Sequence, residues 1–163
     1  PYQGSIHIPL IVANAPGMIP GTVCTRLAEL RDILPTLVEL AGGEQPEGID
    51  GLSLLRENHR EYLHGEHSGG DIGNQYIVTG QDKYCWFMES GREQYFRLDT
   101  DPKELHDAVA DSDCQERISY LRGLLIKELA GREEGYTDGT RLIPGRRQKS
   151  CLSFLPAADS IRG

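Results

Sequence analysis

Apolar positions fall into two patterns along this chain. Between Arg60 and Glu104 they come in short runs separated by Gly-Gly, Thr-Gly-Gln-Asp and Ser-Gly, the punctuation of an antiparallel meander. Seven of the eleven aromatics lie there: Tyr62, Tyr76, Tyr84, Trp86, Phe87, Tyr95 and Phe96. Alternation along one run puts Tyr84, Trp86 and Met88 on one face and Lys83, Cys85, Phe87 and Glu89 on the other. The first face is wholly large and apolar, so it needs a covering layer. From about 113 to 130 the period becomes helical, with Ile118, Leu121, Leu125 and Leu129 in one stripe and Leu124 and Ile126 at its margins. Ser112-Asp113-Cys114-Gln115 reads as its capping box and Gly131 as its stop. Together these predict an α+β unit in which the helix packs on the Tyr84–Trp86 face.

Upstream, residues 6–13 form a β-branched, nearly continuous apolar run, the signature of a strand buried on both faces, with Pro9 pointing to a bulge or an edge. Residues 15–21 hold two Pro and two Gly and read as a loop. A helix is expected after Asp32 as N-cap, with Pro35 in its first turn and Gly42 as its stop. Its apolar face, Ile33, Leu34, Leu37, Val38, Leu40 and Ala41, is wide enough to lie against a large layer. Residues 43–51 read as a linker. Asp101-Pro102-Lys103-Glu104 reads as another capping box, opening a short helical turn over 102–109. Beyond Arg132 periodicity is lost, and a tail is expected to drape over another surface or to be disordered without one.

The net charge of −8 and the absence of a dense Lys/Arg cluster, apart from Arg146, Arg147 and Lys149, exclude nucleic acid as a partner of the bulk surface. No apolar run approaches the ~18 residues of a membrane span. Cys24, Cys85, Cys114 and Cys151 are scattered without CxxC spacing and read as free thiols rather than a disulfide framework.

Several segments, in order, resemble the C-terminal portion of a sulfatase of the alkaline-phosphatase superfamily. PYQGSIHIPLIV resembles that family's Tyr-Glu-Gly segment leading into a Pro-Leu-Ile-Val run. LRDILPTLVELAG and GIDGLSLL resemble its Pro-Thr-Leu helix and the Asp-Gly segment after it. REYLHGEH, IVTGQDKYCWF and EQYFRLDTDPKELHD, with its Asp-Pro-x-Glu turn, resemble the C-terminal subdomain of bacterial arylsulfatases, and EGYTDGTRLIPGR its tail. The resemblance implies three parts. Residues 1–51 are the C-terminal remnant of a catalytic α/β domain, contributing its last strand and helix. Residues 52–131 are a four-stranded antiparallel sheet packed on a helix, and 132–163 an extended tail.

The reaction implied is hydrolysis of a sulfate monoester of a small molecule or sugar. A formylglycine made from Cys or Ser in Cys/Ser-x-Pro-x-Arg serves as nucleophile, beside a divalent cation, usually Ca²⁺. Neither is expected in this chain: CTRLA, CWFME, CQERI and CLSFL all lack that motif. The metal ligands and a sulfate-contacting Lys lie upstream in the family. The chain is therefore expected to be inactive alone, lacking an N-terminal catalytic domain, and to leave 6–13 and 33–41 exposed or sealed by self-association. Gln3 and His7 depart from the family's usual Glu and Arg. A stand-alone carbohydrate- or protein-binding module, and part of a related phosphonate or phosphate ester hydrolase, are the competing readings.

The functional reading of His64, Glu66 and His67 places one or two of them at the rim of the active site, binding the substrate's aryl or sugar group or donating a proton to its leaving oxygen. Alternation puts His64 and Glu66 on one side of a strand and His67 on the other, unless Gly65 bulges. A zinc site from His59, His64 and His67, or purely structural hydrogen bonding, would use the same residues. Lys83 is expected in solvent, Trp86 in the core rather than as a sugar platform, and Asp101 and Glu104 as a cap.

Overall fold

A computed structural model describes residues 2–57, 60–67 and 72–146. Its centre is one antiparallel sheet in simple meander order: β1 (Leu63–His67), β2 (Asn74–Val78), β3 (Asp82–Phe87) and β4 (Glu93–Arg97). Pairing is continuous, with Tyr84 opposite Ile77 and Tyr95, so no bulge occurs at Gly65. Gly65 has a different purpose. A Cβ there would stand 2.1 Å from Cζ of Tyr76, its partner in register, so the missing side chain is what lets that ring lie across β1.

Helix α3 (Gln115–Glu128) covers the face carrying Ile77, Tyr84, Trp86 and Tyr95 with Ile118, Leu121, Leu124 and Leu125, as the two periodicities require. Burial of these side chains is the main source of stability of the unit. Charged pairs fix the helix laterally. Arg117 grips Asp82 at 2.6 and 3.1 Å, and Arg122 grips Glu93 at 2.8 and 2.6 Å, both as forks on carboxylates. The tail drapes over this same unit. Tyr136 is fully buried edge-on against Trp86, with centroids 6.0 Å apart, and the Gly145 N–H bonds the Met88 carbonyl at 2.9 Å.

Helix α2 (Ile33–Leu40) ends in a Schellman motif: Gly43 N–H bonds Val38 O at 2.9 Å, and Gly42, at φ +73°, bonds Glu39 O at 3.0 Å. Its orientation is inverted relative to ordinary packing. The polar side, Asp32 and Thr36, is buried against residues 51–54, whereas Ile33, Leu34, Leu37 and Leu40 are exposed. Gly51 makes the docking possible, since a Cβ there would overlap the Arg31 carbonyl.

Four expectations need correction. The Ser112–Gln115 capping box does not form: Ser112–Cys114 is a 3-10 turn leading into α3, and neither element carries a side-chain cap. Residues 6–13 are not a strand: Gln3–Ile6 form a single helical turn, α1, and 7–13 pair with no strand among the described residues. A strand buried on both faces needs neighbours on both sides, and here Ile8, Leu10 and Ile11 are exposed instead. Asp32 precedes α2 but makes no side-chain cap on it, because its carboxylate is taken by Arg60 and by backbone N–H groups of Glu29 and Leu52. The helical turn expected over 102–109 is absent, and only Ala108–Ala110 forms a 3-10 turn, capped by Asp107. Glu104 takes a left-handed backbone, φ +56°, and turns inward.

Candidate functional site

Two groups of polar residues lie off the hydrophobic core. The first surrounds a cleft of about 280 Å³ between β1, the end of α3 and the segments at 29–31, 50 and 60–62. His64 stands on its wall. Gln75, completely buried in β2, donates through Nε2 to Glu66 Oε2 at 3.1 Å, so its oxygen faces His64 Nε2 at 2.8 Å. That network assigns the Nε2–H tautomer and leaves His64 Nδ1 towards Glu128, 4.0 Å away. The Tyr62 hydroxyl donates to the other oxygen of Glu128 at 2.6 Å. This hydrogen bond, reinforced by burial, pushes the phenol up to about 12.

Glu66 also accepts from Arg132 Nη1 at 2.8 Å. Burial alone would raise its pKa, but the bonds from Gln75 and Arg132 outweigh it and hold the carboxyl below its ordinary range. His67, one residue further along β1, is exposed and by alternation faces away from His64 and Glu66. The zinc reading needed His64 and His67 to converge, and alternation separates them; His59 lies outside the described residues.

The cleft is electrostatically unsuited to an anion. Glu29, Asp50, Glu61 and Glu128 line it against two guanidiniums, and both of these are engaged. Arg31 pairs with Glu29 at 2.9 Å and Asp50 at 3.4 Å, and Arg60 with Asp32 and Glu29. What it offers is hydrogen-bonding capacity for hydroxyl or amino groups.

The second group lies on the opposite sheet face. Lys83, completely buried, pairs with Glu104, also buried. The other Glu104 oxygen accepts the Gln3 backbone N–H at 2.5 Å. The ammonium lies 5.8 Å from the Tyr2 ring centroid and 5.5 Å from that of Phe96, and those two rings meet edge-on at 5.9 Å. Both sequence expectations are overturned here: Lys83 is not in solvent and Glu104 is not a cap. The overlooked signal was that Lys83 shares its face with Cys85 and Phe87, an apolar setting that demands a counter-ion for a lysine.

The residues present do not fit the groups that the resemblance implies. Among the described residues, Asp111, Asp113 and Cys114 form the cluster with ligand atoms close enough for a metal. It brings a buried thiol that already accepts from Arg97 at 2.8 Å, whereas Ca²⁺ takes six to eight oxygens. Cys85, 1% exposed and pushed up to about 11 by burial, has neither the sequence context nor the exposure of a formylglycine precursor.

No protein-family model matches the chain. Among solved structures, a 2-O GAG sulfatase superposes with a TM-score of 0.57 at 21% identity, over 69% of this chain and 27% of that one. The phosphonate monoester hydrolase of Agrobacterium radiobacter does so with a TM-score of 0.51 at 25% identity, over 61% and 24%. The fold is thus that of part of a sulfatase-type hydrolase. In sequence the chain is 47% identical to an arylsulfatase of Clostridium perfringens over 154 residues, covering 89% of this chain and 32% of that protein. The chain is thus arylsulfatase-like in sequence, and it spans between about a fifth and a third of the length of the curated relatives it matches.

Proposed function

We propose that this chain is the C-terminal portion of an enzyme hydrolysing sulfate monoesters, and that it works only with an N-terminal catalytic α/β domain. Residues 1–51 are the remnant of that domain, 52–131 the small sheet-and-helix subdomain, and 132–163 its tail. One observation carries the reading: α2 presents Ile33, Leu34, Leu37 and Leu40 outward, and Ile8, Leu10 and Ile11 are exposed as well. An amphipathic helix with its apolar side in solvent is half of an interface. The formylglycine nucleophile and the Ca²⁺ belong to the other half. The cleft wall at His64, with Glu66 behind it, holds the uncharged part of a sulfated sugar or small molecule, whereas His67, facing the other way on β1, is left out of it. Sulfate itself would be bound elsewhere, because the cleft is acidic.

The coding sequence immediately upstream of Pro1 tests this directly. A Cys/Ser-x-Pro-x-Arg motif, and a Lys shortly before Pro1, are expected. A start codon with neither would overturn it, as would hydrolysis of an aryl sulfate by the 163-residue chain alone. The likeness to the phosphonate monoester hydrolase supports a second reading, in which the ester carries phosphorus. Comparing aryl sulfate and phosphonate ester turnover by the longer protein separates the two.

A further inference from the structure

The buried pair of Lys83 and Glu104 has no part in the core that α3 closes, since it lies on the other side of the sheet. Glu104 reaches it only by adopting a left-handed backbone at φ +56°, a conformation that a non-glycine residue keeps when its surroundings dictate it. Its second oxygen accepts an N–H donated from 101 residues away, at Gln3, and Tyr2 lays its ring beside Phe96 and the Lys83 ammonium. Past that point the backbone of 7–13 pairs with nothing in the sheet. Thus the contacts that fix the start of the chain to the sheet converge on one carboxylate and its counter-ion.

We infer that Lys83 and Glu104 are positioning residues, forming a latch that fixes the backbone at Tyr2–Gln3 on the outer face of the small sheet. The division of labour is chemical. Glu104 supplies the acceptor for Gln3 N–H, whereas Lys83 neutralises a carboxylate that could not be buried alone. The consequence rests on the sulfatase reading: there, a sulfate-contacting Lys directly precedes this segment, and the latch sets where that Lys stands. The latch itself requires no such reading.

Amide hydrogen exchange on the 163-residue chain tests it without any measurement of sulfate-ester hydrolysis, so its failure and that of the sulfatase reading are separable. Two double variants avoid stranding a buried charge. Lys83→Met with Glu104→Gly removes the acceptor and suits the left-handed backbone. Lys83→Met with Glu104→Gln removes the charges but keeps an acceptor oxygen. In the first, the Gln3 amide should exchange at least tenfold faster while the amides of Tyr84 and Leu125 hold their wild-type rates. In the second, Gln3 should stay protected. Unchanged Gln3 exchange in the first variant overturns the inference. So does parallel acceleration of Gln3, Tyr84 and Leu125 in both, which is the behaviour of a pair that only stabilises the fold.

Discussion

Arg60 holds Asp32 in a two-pronged grip, Nη1 to Oδ2 at 2.5 Å and Nη2 to Oδ1 at 2.7 Å, across 28 residues of sequence. Asp32 is 1% exposed and takes two further N–H bonds, from Glu29 and Leu52. This carboxylate therefore gathers the start of α2, the segment at 50–54 and the entry to β1. Arg60→Ala strands it without its counter-ion and should destabilise the folded chain by about 3–5 kcal/mol. Urea denaturation followed by the fluorescence of Trp86, the single tryptophan, checks this.

The same carboxylate gives that variant a pH signature. Burial raises the pKa of Asp32, but the bonds from Arg60, Leu52 and Glu29 outweigh it, and the net shift is downward. A carboxyl whose folded pKa lies below its unfolded value of ~3.9 gives its full stabilisation above that value and loses it as pH falls through the folded value. The stability gap between wild type and Arg60→Ala should thus be full at pH 7 and shrink below about pH 4. Urea titrations at pH 7 and pH 3 compare the two, and a gap of equal size at both would contradict this assignment.

Gly65 and Tyr76 make a second pair that can be tested. Gly65→Ala would place its methyl 2.1 Å from the Tyr76 ring, so the ring must leave β1. Overpacking of this kind costs about 1–3 kcal/mol. In a Tyr76→Ala background the same change should be almost neutral, and the double-mutant cycle measures the coupling.

Thiol labelling should rank the cysteines sharply. Cys24 is exposed, and hydrogen bonds from Arg26 lower its pKa, so it reacts in the native chain. Cys85 and Cys114 are buried and should react only on unfolding. With Cys151 replaced by Ser, one equivalent of label is expected under native conditions and three in denaturant.

Which features were legible depended on how far apart the partners are. The Tyr84–Trp86 face, the α3 stripe, the Gly42 stop and the opposed directions of His64 and His67 all follow from repeats of two to four residues. The Lys83–Glu104 pair did not, because Asp-Pro-Lys-Glu matches a capping box locally while its glutamate answers to a lysine 21 positions upstream. Residues 6–13 misled in the opposite sense. Their pattern reports the surroundings of a buried strand, and the described residues contain no strand to pair with them. The cleft was invisible for the same reason as the ion pair: Glu29, Asp50, Tyr62 and Glu128 meet only after folding.

The outward face of α2 leads to the last prediction. Leu34 and Leu37 are 53% and 58% exposed, so replacing both with Glu removes little burial and should alter stability by less than about 0.5 kcal/mol. Their effect should appear in association instead. The apolar side chains that α2 exposes should drive the isolated chain to self-associate, and two added carboxylates among them should oppose that by desolvation and repulsion. Sedimentation velocity over a hundredfold concentration range is the measurement. The wild-type chain should shift to faster species with concentration and the double variant should stay a monomer. If the wild type is monomeric throughout, this face does not behave as one side of an interface.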